Sequence, residues 1–289
     1  MATLAYETYV APAKPVVSAD LPVGEKREMW SPTAVTLIHG DRDAVLVDAL
    51  MTDREGQALA DWVQSSGKHL TTIYITHGHG DHFFGAAAVL ERFPDARLVA
   101  VPEVVDAMKQ QVGPNWLDPF WRAAFPDQIG DPVVADRLSG DTLDLEGEEL
   151  VVVPLGHSDT DHTTALHAPS IGLVAAGDSV YNDVHLYLSE AGADGLAEWF
   201  DALDTIADLH PDAVVAGHKR DGAPDGPDNI EATRQYLRDW EAADRNSDDA
   251  RELYNLMIER YPDRINRAVL WHSAEAAKRS AFSGPPDRH

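Results

Sequence analysis

The chain has 289 residues, 44% of them hydrophobic, a formal net charge of −26 and no cysteine. That length suits one large domain, or one domain with a helical appendage, able to bury most of its apolar surface. The acidity argues against a nucleic-acid partner, which needs clustered Lys and Arg, and the absence of thiols leaves only N and O donors for any metal. No basic stretch followed by an apolar one opens the chain, and no apolar run approaches the ~20 residues that span a bilayer. The expectation is a soluble cytoplasmic protein with no membrane contact and a small-molecule substrate.

Residues 4–10 alternate and read as a first strand, whereas 11–30, with several prolines and charges, read as an irregular entry. Apolar runs at 33–38 and 44–47, joined by His39-Gly40-Asp41-Arg42-Asp43, predict a hairpin that ends at Asp48. Leu59, Trp62 and Val63 mark a helix over 53–66, stopped by Gly67. The β-branched run 72–76 reads as a buried strand. A helix over 84–92, a strand over 98–101 and a helix over 103–111 follow. Residues 113–132 are rich in proline and aromatics and show no period. Their Trp116, Phe120, Trp121 and Phe125 either pack on the core or wall a pocket.

The second half opens with strands near 141–145, 149–153, 163–167 and 173–176. A helix over 193–208 then carries Leu196, Trp199, Phe200 and Leu203 on its apolar face, and a strand spans 212–216. Strands alternating with helices give an α/β class. Residues 228–283 are mostly helix formers. Their stripes (Tyr236, Leu237, Trp240; Leu253, Leu256, Met257) serve the core or a second copy in a homo-oligomer. The organisation expected is residues 1–225 followed by a C-terminal helical extension, 226–289, packed on the same domain. Its last seven residues, SGPPDRH, read as disordered.

The densest chemistry follows the strand 72–76, in Thr76-His77-Gly78-His79-Gly80-Asp81-His82. Three imidazoles and a carboxylate are separated by glycines, which permit the tight turns needed for them to converge. These are ligands for zinc and similar borderline metals.

With HxHxDH after a strand, the sequence resembles the metallo-β-lactamase superfamily. Asp48 (AVLVDAL), His157 (PLGHSD), Asp178 (AAGDS) and His218 (VAGHK) fall in that family's order across roughly residues 31–220. The resemblance implies a four-layer αβ/βα sandwich of the metallo-β-lactamase type. It also implies two divalent metal ions, with zinc favoured and manganese or iron as alternatives. His77, His79 and His157 would hold the first ion and Asp81, His82 and His218 the second, with Asp178 bridging. Two such ions acidify a shared water that attacks a carbonyl. Asp81 would be both ligand and proton acceptor, and Asp48 would orient a ligand or the motif loop.

An Asp at 178 resembles the lactonases and glyoxalase II rather than the lactamases that name the family. Tyr181, three residues on, stands where acyl-homoserine lactonases carry a Tyr that bonds the reacting carbonyl region. The activity implied is cleavage of an ester-like bond, lactone first, thioester or β-lactam as alternatives, with loss of catalysis as the remote one. Relatives often have a second His after a proline-glycine turn beyond His157. Here Ser158-Asp159-Thr160-Asp161 intervenes, and His162 reads as a structural or orienting group. His185 and Tyr187 extend the wall beyond Tyr181, and Lys219 reads as exposed. His39, His69, His167, His210, His272 and His289 read as surface or packed residues.

Overall fold

A computed structural model describes residues 3–18, 21 and 24–282; the tail expected to be disordered lies outside the described residues. The first half contains β1 (Ala5–Ala11), β2 (Lys14–Pro15), β3 (Met29–Trp30), β4 (Thr33–His39), β5 (Asp43–Val47), α1 (Asp53–Ser65), β6 (His69–Tyr74), α2 (Ala86–Arg92), β7 (Arg97–Ala100), α3 (Pro102–Gln111) and β8 (Asp136–Arg137). The second contains β9 (Thr142–Leu145), β10 (Glu148–Gly156), β11 (Thr163–Ala168), β12 (Leu173–Ala175), β13 (Tyr181–Asn182), α4 (Gly192–Asp208), β14 (Ala213–Val215) and β15 (His218–Lys219). The helices α5 (Asp228–Arg245), α6 (Ala250–Arg260) and α7 (Arg267–Phe282) complete it. Among the described residues no helix is long and apolar enough to cross a membrane.

One sheet runs β13-β15-β4-β5-β6-β7-β8, with β1 also paired to β4, and the other runs β14-β12-β11-β10-β9. Strand alternation sorts the side chains into layers. In β4 and β5, Val35, Leu37, Ala44 and Leu46 face α1–α3, meeting Leu59, Val63, Val89 and Met108. Their neighbours Ile38, Val45 and Val47 face the other sheet, meeting Leu150, Val152, Leu166 and Val215. Because both faces are covered, these strands are apolar throughout. The outer face of the second sheet packs Val153, Ala165 and Val174 against Trp199, Leu203 and Ile206 of α4. The same cluster takes in Tyr236, Leu237, Leu253 and Leu270 of α5–α7. The order helix, sheet, sheet, helix is the four-layer αβ/βα sandwich.

Local chemistry fixes the element ends. Thr52 caps α1: its Oγ1 accepts from Glu55 N at 3.2 Å, and Thr52 N donates to Glu55 Oε2 at 3.0 Å. Two expectations change. The entry 11–30 contains a ribbon of β2 and β3, with Lys14 opposite Trp30, and it puts Trp30 over the site. The aperiodic stretch 113–132 contains a π-helical segment at Leu117–Arg122, a pitch that no 3.6-residue pattern reveals.

Trp199 joins this packing to the site. It is fully buried, and its Nε1 donates to Ser179 O at 2.9 Å, one residue beyond Asp178. Trp199→Phe leaves that carbonyl without its donor and opens a small void. It should lower unfolding free energy by about 1–3 kcal/mol, read as a shifted urea midpoint at constant m-value.

Candidate metal centre

The site gathers where strands end. Asp48 follows β5, His77–His82 follow β6, His157 and Asp159 follow β10, Asp178 follows β12, and His218 comes three residues after β14. The register finishes the arrangement: Tyr181 pairs with His218 across β13 and β15, and their rings stack with centroids 5.7 Å apart.

Asp48 holds the motif loop. It is buried, with a left-handed backbone (φ 62°). Its Oδ1 accepts from Thr76 N at 2.9 Å, and its Oδ2 accepts from Thr76 Oγ1 at 2.9 Å and pairs with His82 Nδ1 at 2.9 Å. This fixes tautomers. The Thr76 hydroxyl spends its one proton on Asp48, so the contact with His77 Nδ1 (3.0 Å) is donated by the imidazole. His82 Nδ1 donates to a carboxylate, and His218 Nδ1 donates to Pro32 O at 2.8 Å. Each ring therefore turns its Nε2 inward, where it carries either a proton shared with the facing carboxylates or, once that proton is released, a metal.

The inward atoms converge on carboxylates. His82 Nε2 lies 3.3 Å from Asp178 Oδ1, and His218 Nε2 lies 3.1 Å from Asp178 Oδ2 and 3.4 Å from Asp81 Oδ2. Burial lowers the proton affinity of His218, but Asp178 and Asp81 outweigh it and bring its pKa up to about 9. Burial likewise pushes the Asp81 carboxyl up, and His82 and His218 pull it well below the carboxylate range. His77 Nε2, His82 Nε2, His157 Nε2, Asp159 Oδ2 and Asp178 Oδ1 are buried without a hydrogen-bond partner. Lone pairs facing one another in a dry site cost free energy unless a cation lies between them. The donor set fits divalent ions.

Besides Asp48, His77 and His82, where the loop's own hydrogen bonds occupy the carboxylate, two groups of mutually close donors form among the described residues: Asp81, His82 and His218, and His77, His79 and Asp159. His157, expected beside His77 and His79, is not in the second group. Its Nδ1 donates to Asp161 at 2.7 Å, and its ring lies against α4. His79 meets Asp159 Oδ2 through Nδ1 (2.9 Å) and Glu190 Oε1 through Nε2 (3.3 Å). Asp178 sits between the groups, and Tyr181 donates to its Oδ2 at 2.9 Å.

Other expectations change here. Lys219 is buried and paired with Asp225, because β15 turns it away from solvent. His162 is exposed with a left-handed backbone (φ 60°). His185 is buried against Tyr236 OH (2.9 Å), away from the wall that Tyr187 does join. Sequence reasoning passed over three residues. Trp30 donates from Nε1 to Asp81 Oδ2 at 3.0 Å across 51 positions, with no local signal. Glu190 receives Thr160 Oγ1 at 2.7 Å. Asp159 had one signal, the carboxylates replacing the proline-glycine turn.

A cavity of about 470 Å³ opens onto these donors. Trp30, Trp116, Phe120 and Trp121 wall it, and α7 closes it with Val269 and His272. The aromatics of the aperiodic stretch are thus split: Trp116, Phe120 and Trp121 line the cavity, while Phe125 is fully buried in the core.

Gly217, one residue before His218, shows how tight the floor is. A Cβ there would overlap Asp178 Oδ1 and come 2.8 Å from the Gly177 carbonyl carbon. Gly217→Ala should destabilise the fold by about 1–3 kcal/mol, measured by chemical denaturation.

The family model of the Metallo-beta-lactamase superfamily matches residues 29–218. A hydroxyacylglutathione hydrolase from Parasynechococcus marenigrum (strain WH8102) is 34% identical over 80 residues, and the match spans only 28% of this chain and 28% of that relative's length. A metallo-beta-lactamase family protein from Thermus thermophilus superposes with a TM-score of 0.60 at 19% identity, over 93% of this chain and 91% of that one. A metallo-beta-lactamase from Pseudomonas aeruginosa, solved in a mono-zinc form, gives 0.56 at 16% identity, over 82% and 91%. At such identities the likeness is one of fold.

Proposed function

Because the chain belongs to the metallo-beta-lactamase superfamily and is a hydrolase of that kind, we propose that it cleaves an ester-like bond at two divalent ions, a lactone being preferred. The carrying observation is the union of a buried His and carboxylate cluster with an apolar, aromatic-walled cavity. His77 and His79 would hold one ion and Asp81, His82 and His218 the other, with Asp178 between. When bound, such ions acidify a water and polarise a carbonyl oxygen.

The chain's own groups do the rest. Asp81 stays ionised and orients a water, itself fixed by the Trp30 indole. Burial and the Asp178 carboxylate hold the Tyr181 phenol protonated, well above its usual range. At neutral pH it is therefore a hydrogen-bond donor; its one proton, given to Asp178 Oδ2 here, would turn to the negative charge developing on a carbonyl oxygen or leaving alkoxide once an ion takes over that carboxylate oxygen. The aromatic walls favour an apolar acyl or aryl substituent and exclude water from it. The charge of −26 supports a small neutral substrate over a polyanion.

The match to a hydroxyacylglutathione hydrolase supports a second reading, a thioester substrate. Reconstituted protein offered lactones, aryl esters, glutathione thioesters and β-lactams decides between them by kcat/KM. An apolar lactone or ester should lead; a β-lactam in front would discard the branch, and a glutathione thioester in front would move it to the second reading. Tyr181→Phe, which keeps the ring, should lower kcat on the order of 100-fold with metal content unchanged. Unaltered kinetics would reduce Tyr181 to a packing residue.

A further inference from the structure

Two imidazoles do not complete a protein site for the first ion, since a catalytic site of this kind takes three protein donors. The family order offers His157 as the third, and the geometry does not. We propose that Asp159 supplies that donor and that His157 is a structural residue; the inference rests on the metal-hydrolase reading above.

Three observations carry it. Asp159 is completely buried, and its Oδ2 lies 2.9 Å from His79 Nδ1 and 3.7 Å from His77 Nε2 without an aligned hydrogen bond to either. Its other oxygen is occupied, accepting from Ser158 Oγ at 3.1 Å. A carboxylate oxygen so placed is out of contact with solvent and sits against the inward atoms of His77 and His79. The three donor atoms lie within 4.8 Å of one another.

His157, by contrast, is held from both sides. Asp161 Oδ1 accepts a hydrogen bond from its Nδ1, and the ring packs on α4 where that helix has Gly195. A Cβ at Gly195 would come 2.5 Å from His157 Nε2 and 2.7 Å from Cδ2. The nitrogen that would have to bind an ion therefore lies against the helix, buried and without a hydrogen-bond partner but outside the group of close donors that His77, His79 and Asp159 form.

The exchange changes the chemistry of the pair of sites. Each ion gains two imidazoles and one carboxylate of its own, with Asp178 between. Three carboxylates oppose the four positive charges of two divalent ions, where the family order gives two. Oxygen in place of nitrogen moves the first site's preference from zinc toward manganese or iron(II).

The test uses the full chain stripped with chelator, then titrated calorimetrically with Mn²⁺ and with Zn²⁺, with bound metal counted after gel filtration. Two variants separate the donors. Asp159→Asn keeps the shape and removes the charge. His157→Asn keeps a donor toward Asp161 and removes the Nε2 lone pair. The wild type should take up two ions, Asp159→Asn should lose one or bind it at least about 10-fold more weakly, and His157→Asn should keep both. If Asp159→Asn does not fold, His157→Asn decides alone. Loss of an ion from His157→Asn, with or without loss from Asp159→Asn, overturns the assignment. A wild type that binds no ion overturns the hydrolase reading and this inference with it, whereas a wild type with two ions and an intact Asp159→Asn pair overturns the inference only.

Discussion

One buried carboxylate sets the geometry of the centre. Asp48 lies at the end of a central strand, out of water, and its charge is tolerable only because Thr76 and His82 surround it with donors. The same contacts tie β5 to the end of β6 and settle which nitrogen His77 and His82 present. Conformation and protonation state are therefore fixed together: a loop that moved would leave Asp48 unsatisfied, and an imidazole that flipped would point a proton at the centre. The left-handed backbone at Asp48 is the local strain that this arrangement carries, offset by the hydrogen bonds it makes possible.

The two sheets contribute in different ways. The first delivers a continuous loop in which four functional side chains fall within six positions. The second delivers isolated residues, Asp159, Asp178 and the His218 that crosses back to pair with β4, each placed by long-range packing. The wall is assembled from still more distant parts: the β2–β3 ribbon, the π-helical segment and α7. His272 of α7 pairs with Glu28 at 2.9 Å, and Ser273 Oγ accepts from Leu188 N at 2.9 Å, which ties that helix to both sides of the opening.

Legibility in the sequence followed this division. Strands β4–β6 and helix α4 were readable because their periods match the layers they pack between. That His77, His79, Asp81, His82, Asp178 and His218 come close together was readable because strand ends deliver them in a fixed order. The choice between His157 and Asp159 was not. It depends on how the chain leaves β10, where the pairing with β11 slips between Pro154 and Gly156, and on where α4 packs. A two-residue offset in a turn has no periodic trace. Trp30 was invisible for the same reason, since its partner is 51 positions away, and Lys219 looked exposed because only tertiary structure supplies Asp225.

The chain order of these parts separates two properties. Every histidine and carboxylate of the cluster precedes residue 219, while the helix that closes the cavity begins at Arg267. The clustered donors and the closing helix thus share no residue, and a change confined to Val269 or His272 reshapes the opening without touching a donor. What the cavity admits can drift in sequence while the centre beneath it is held constant.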